Sequence, residues 1–152
     1  MKGHVAVAEI QIDATPARVW SALTDPAEIK QYMFGSEVLT DWEPGSRIVW
    51  RGEYDGKSYE DHGEILVFEP DKRLVVTHFS PLQGAEDLPE NYHVLAYDLE
   101  EVNGETRLRL SQDNNASPEA AQHSRANWET MLGGLKSVVE RSEARSAGSA
   151  RN

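Results

Sequence analysis

Five histidines are the side chains of this chain that titrate near neutral pH unperturbed, and there is no cysteine to supply a thiolate. Two of the five sit where chemistry is conceivable. In Glu60-Asp61-His62-Gly63-Glu64, the residues Glu60, His62 and Glu64 share one strand face and could ligate zinc. Ile65 and Val67 occupy the opposite face, however, so the carboxylate face is expected in water and no metal site is expected there. His78 alternates with Leu74 and Val76 and so points inward. A lone inward histidine is usually a satisfied core residue; the alternatives are a pocket-lining hydrogen-bond donor or a base working near neutral pH. His93 shares a face with Leu95 and Tyr97 and could stand at the rim of the same pocket, while His4 and His123 read as surface residues.

Recognisable catalytic templates are otherwise missing. The chain holds no Gly-x-Ser-x-Gly elbow, no phosphate-cradling glycine loop and no His-Glu-x-x-His. No cofactor is expected. Asp113, Asn114 and Asn115 read as a strand-to-helix turn. Trp20, Trp50 and Trp128 are first of all core candidates. Tyr32, Met33 and Phe34 form an apolar run after a short helix, and such a run needs a reason if exposed, either covering a ligand or packing on a partner.

The elements that would position these groups follow from periodicity. Residues 4–13 alternate as a strand, with Ala6, Ala8, Ile10 and Ile12 on one face. Thr15-Pro16 and Asp25-Pro26 each cap a short helix, and Glu28 is placed to close a capping box. Six strands follow, at 36–40, 47–54, 57–69, 73–80, 91–101 and 105–112. Asp55-Gly56 and Asn103-Gly104 give the two tightest hairpins. The polar loop 81–90 interrupts them and could act as a lid. Ser117-Pro118 then opens a long helix to about residue 143, on which Trp128, Leu132, Leu135 and Val139 form one stripe, widened by Met131 and Val138. Consecutive hairpins imply an antiparallel sheet, and the helix must bury its stripe against it, which leaves room for an internal pocket. One domain over 1–143 is expected, with a frayed polar tail at 144–152.

Charge and length exclude other classes. The formal net charge is −11, which opposes binding to nucleic acid or anionic lipid. No apolar run approaches the roughly 20 residues of a membrane span, and the first residues lack the layout of a secretory signal, so a cytoplasmic location is expected.

The residues also carry a resemblance. The stretch from Ile12 through Ala14-Thr15-Pro16-Ala17-Arg18-Val19-Trp20 to Asp25-Pro26 resembles the opening of the START-like superfamily, also called SRPBCC or birch-pollen-allergen-like. Asp41-Trp42-Glu43-Pro44-Gly45-Ser46, Gly63-Glu64-Ile65-Leu66, Arg73-Leu74-Val75-Val76-Thr77, Gly104-Glu105-Thr106-Arg107-Leu108 and Asn127-Trp128 are similar to its AHSA-like branch, named after the activator of the heat-shock-protein-ninety ATPase. The resemblance implies an α+β helix-grip fold, with a curved seven-stranded antiparallel sheet wrapped around the long C-terminal helix and two short helices after the first strand. It also implies an apolar cavity. Gln31-Tyr32, His78 and Asn127 depart from the branch's usual residues near that cavity.

Three functions are then open. The first is binding of a small hydrophobic or aromatic ligand between sheet and final helix, with Trp50, His78, Tyr97, Gln112, Trp128 and Met131 as the wall and Tyr32 and Phe34 near the mouth. The second is a cyclase- or hydrolase-like enzyme using His78 as base, which would need further polar groups converging on it. The third is an interaction module, with a chaperone or a second copy of the chain as partner.

Overall fold

In the computed structural model, residues 1–150 are described, apart from the side chains of residues 54, 83 and 143–150. The elements run β1 (His4–Ile12), α1 (Pro16–Thr24), α2 (Pro26–Tyr32), β2 (Glu37–Thr40), β3 (Arg47–Tyr54), β4 (Lys57–Glu69), β5 (Arg73–His78), β6 (His93–Val102), β7 (Glu105–Asn115) and α3 (Pro118–Ala150). Seven strands form one antiparallel sheet in the order β1-β7-β6-β5-β4-β3-β2, which with α3 makes a helix-grip α+β fold. The expected tail at 144–152 lies outside the described side chains, and for residues 151 and 152 outside the described backbone.

Local chemistry explains the turns. Asp55-Gly56 has φ of +52° and +77°, and Asn103-Gly104 has +53° and +84°. Both central residues of each turn are therefore left-handed, as the tight hairpin turn requires. Thr15 accepts from the Arg18 amide and Asp25 from the Ala27 amide, so each short helix begins on its expected cap. Glu28 does not close a capping box. It turns instead to the Arg18 guanidinium on α1, a charge-assisted pair that ties the two helices together.

The two faces of the sheet differ as alternation demands. Outward, Glu9, Arg109, Asp98 and Arg73 stand opposite one another on β1, β7, β6 and β5, forming a row of alternating charge. Arg109 meets Glu9 at 2.8 Å and Arg73 meets Asp98 at 3.2 Å. These exposed pairs add little stability one by one, but they keep the face wetted. Inward, Ala8, Ile12, Leu74, Val76, Leu95, Leu108 and Leu110 join Leu132, Leu135 and Val139 of α3 in the core.

Helix α3 lies mainly over β1 and against α2, not over the centre of the sheet. Side chains of α1 and α2 meet the inner face of β2, β3 and β5 instead. This lateral offset decides where the interior is loosest.

Residues 113–115 belong to β7 and are not a turn. Asp113 is buried and accepts from the amides of Val94 (2.6 Å) and Lys2 (3.1 Å). Asn115 donates to the His4 and Gln112 carbonyls and accepts from Ser124. Three polar side chains that favour loops when solvated here satisfy backbone groups where β1, β6 and α3 converge.

Candidate functional site

The inner face of the sheet carries an apolar void, set between α1 and α2 on one side and β2, β3, β5 and β6 on the other. Its lining includes Leu23, Ile29, Tyr32, Met33, Val38, Trp42, Ile48, Trp50, Leu74, Val76 and Tyr97. The enclosed volume is about 20 Å³, room for one water molecule. The interior is thus closed in this conformation, and the void lies beneath the short helices, not beneath α3. Tyr32 and Tyr97 bring phenols to the wall, and the Tyr32 hydroxyl donates to the Ala22 carbonyl at 2.9 Å. Burial pushes the phenols of Tyr32 and Tyr97 above the usual tyrosine range, so both stay neutral across the physiological range.

Beyond Trp50 the same face turns polar. Counting outward from the Asp55-Gly56 turn sets Asp61 of β4 opposite Trp50 of β3. His78, at the end of β5, places Nε2 3.0 Å from Asp61 Oδ2. Its imidazole also lies edge-on to the Trp50 indole, with ring centroids 5.0 Å apart. Both members of the pair are mostly buried, at 19% and 16% side-chain exposure. A carboxylate facing Nε2 assigns that nitrogen a ring proton. The geometry matches that of a base held by its orienting acid. Asp61 Oδ1 is buried and has no hydrogen-bond partner, alone among the described buried side-chain polar atoms.

The eight expected site residues therefore separate. Trp50, Tyr97 and Tyr32 border the void, and His78 stands next to it through Trp50. Gln112 and Trp128 pair with each other, the indole nitrogen donating to Gln112 Oε1, and Met131 is buried in the core; none of these three borders the void. Phe34 is 75% exposed at a φ of +56° and its place in the wall is taken by Met33. Asp61 was not singled out by type or motif. The hairpin register that places it against Trp50 was legible and would have found it.

Loop 81–90 does not cover the void. It is fixed to the opposite, outward face of the sheet, where Tyr92 stacks on Phe79 at 5.2 Å. The Tyr92 hydroxyl donates to Asp87 Oδ1 at 2.5 Å, and His62 Nε2 lies 2.9 Å from Asp87 Oδ2. His62 is thus engaged in holding this loop. Among the described residues no three histidine, aspartate or glutamate side chains gather as a metal site requires.

Residues 13–140 match the protein family described as Activator of Hsp90 ATPase homolog 1-like protein. The solution structure of ChR145 from Cytophaga hutchinsonii is 46% identical over 95% of this chain and 99% of that one, with a TM-score of 0.82. Two more distant structures share the fold. The Aha1 dimer from Colwellia psychrerythraea is 21% identical over 90% of this chain and 96% of that one, with a TM-score of 0.69. Ara h 8.0201 is 15% identical over 91% and 98%, with a TM-score of 0.71. No curated protein matches the chain. Among the described residues no helix is long and apolar enough to cross a membrane.

Proposed function

The chain belongs to the family of Activator of Hsp90 ATPase homolog 1-like proteins, and from that membership and the apolar void under its short helices we propose that it binds a small hydrophobic or aromatic molecule. The observation that carries the reading is the wall itself. Aromatic and aliphatic side chains from six elements and the segments between them converge on one point of the interior and fail to fill it. A void of one water's volume is not a preformed pocket, so binding works by opening. The cover is suited to that. Helix α2 has seven residues and buries Ile29 and Tyr32. It is followed by Met33, whose unbranched side chain repacks easily, and by Phe34 and Gly35, both at positive φ.

The energetics set a limit on the opening. A single aromatic ring that buries about 150 Å² gains about 4 kcal/mol. Displacing α2 must cost less than that for binding to be observed. Titration of the protein with toluene, followed by the indole N–H resonances of the four tryptophans, tests the reading. Shifts at Trp50 and Trp42 ahead of Trp128 and Trp20 are expected. A spectrum unchanged up to the solubility of toluene overturns it.

A second reading has its own observation. The hydrogen bond from His78 to Asp61 supplies the oriented imidazole that a cyclase- or hydrolase-like reaction needs. It leads only if a substrate reaches His78 Nδ1, which solvent-exchange and ligand-induced shifts of the His78 ring would report. The interaction reading, with a chaperone or a second copy as partner, draws on the names of the matched family and of the Colwellia structure, not on a surface of this chain.

A further inference from the structure

We infer that the occupant of this cleft is an amphiphile carrying a hydrogen-bond donor, a hydroxyl or a protonated amine, on a compact apolar body, and that Asp61 Oδ1 receives the donor. The inference rests on the binding reading above and names the chemistry of its ligand.

The argument starts from satisfaction. Among the described residues, no other fully buried side-chain oxygen or nitrogen lacks a hydrogen bond. Tyr32 donates to Ala22, Thr106 donates to the Ala14 carbonyl, Gln112 accepts from Trp128, and Asp113 takes two backbone amides. Asp61 has half of what it needs. Oδ2 receives the His78 ring proton, while Oδ1 is shut off from solvent with nothing donating to it. An acceptor left in that state on a charged group is a standing cost, and native folds rarely keep one without a use.

Position supplies the use. Asp61 is paired across the strands with Trp50, and Trp50 is at once a wall of the void and the ring against His78. The apolar space and the unsatisfied carboxylate are therefore separated by one indole. A ligand whose body sits among Ile48, Leu74 and Val76 has its head at Trp50, next to the pair.

The pair also dictates the sign of the head. Its open group is Asp61 Oδ1, an acceptor, and the ring N–H facing Oδ2 is already spent. A carboxylate, phosphate or ester head brings only acceptors to that oxygen. A hydroxyl or ammonium donates to it. The chain's net charge of −11 raises the local concentration of cations and lowers that of anions, which acts in the same direction.

Four ligands with one body separate the terms. They are 2-phenylethanol, protonated 2-phenylethylamine, propylbenzene and 3-phenylpropionate, each titrated into the whole protein by calorimetry and indole N–H shifts. The alcohol and the amine are expected to bind at least about tenfold more tightly than propylbenzene, with the propionate weakest. In Asp61→Leu that order reverses and propylbenzene binds best. Equal affinity of propylbenzene and the two donors overturns the inference and leaves the apolar-ligand reading standing. Tightest binding of the propionate overturns it as well. No binding by any of the four overturns both. The wild-type series decides the question alone if Asp61→Leu does not fold.

Discussion

The Trp50 indole meets the His78 imidazole edge to face, with ring centroids 5.0 Å apart and planes inclined by 61°. The same indole closes one side of the apolar void. One side chain thus divides the inner face of the sheet into an apolar half under α2 and a polar end holding His78 and Asp61. Whether that division can be crossed separates a purely apolar ligand from one that reaches the His78–Asp61 pair.

Removing the divider is the direct test. Trp50 is 8% exposed, and Trp50→Ala is expected to cost about 3–5 kcal/mol of stability. The walls at Ile48, Leu74 and Val76 remain and room for a ring is added, so the enlarged cavity should take up toluene more tightly than the wild type does. Urea unfolding measures the first effect and toluene titration the second. A variant of unchanged stability means that Trp50 is not packed as described.

A backbone contact next to the pair makes a second prediction. A Cβ built at Gly63 would lie 1.8 Å from the Thr77 carbonyl oxygen, closer than any real contact. Gly63→Ala must therefore push β4 from β5 beside Asp61 and His78. The cost is expected at the upper end of the overpacking range, about 3 kcal/mol. Gly104→Ala is the informative comparison, since nothing lies within 4 Å of its Cβ and only its φ of +84° opposes the change. Its destabilisation should be smaller, about 1 kcal/mol.

Much of this architecture was legible in the residues. Strand alternation and the Asp55-Gly56 and Asn103-Gly104 turns determine register, because a two-residue turn fixes every pair outward from it. The phase of α3 was legible too, and Leu132, Leu135 and Val139 are fully buried. Its lateral position was not. Helical periodicity gives the side that faces the sheet but not which strands lie beneath it, so Trp128 and Met131 were expected around a void that formed elsewhere. Asp113–Asn115 misled for a related reason. Polar residues read as loop unless one knows which backbone groups converge there.

Two carboxylates predict the acid limb of stability. Asp87 is held below its ordinary value of 3.8, first by the Tyr92 hydroxyl and then by His62. Glu140 is subject first to desolvation, which pushes it up. The Lys136 ammonium and the Asp13 amide, at 2.6 and 2.8 Å, outweigh this and hold it below 4.5. A depressed folded value means that the stabilisation is complete above the unfolded pKa and is lost as pH falls through the folded one. Urea midpoints should therefore hold near neutrality and fall below about pH 4.5, and Glu140→Gln and Tyr92→Phe should each flatten that fall. Hydrogen exchange at Leu88 and Asn91 should also rise in Tyr92→Phe, because the loop loses its anchor. An acid limb of wild-type steepness in both variants would count against these contacts.

The last prediction asks what the His78–Asp61 pair costs the empty protein. Breaking a mostly buried pair by removing one member strands the other, which is far worse than replacing both. His78→Leu leaves Asp61 with neither oxygen partnered, and should lose about 3 kcal/mol. Asp61→Leu removes the orphaned oxygen together with the charge, and leaves the imidazole to pack against Trp50. It should cost less than about 1 kcal/mol or stabilise the fold slightly. The double variant should lie within about 1 kcal/mol of wild type, so that the cycle shows coupling of about 3 kcal/mol concentrated in the His78 arm. If both single variants lose equally, Asp61 is contributing stability on its own account, and the unpartnered oxygen no longer requires a ligand to explain it. If the asymmetry is found, the chain holds Asp61 at a cost that a hydrogen-bond donor at Oδ1 would relieve, which is the role inferred for the head of the ligand.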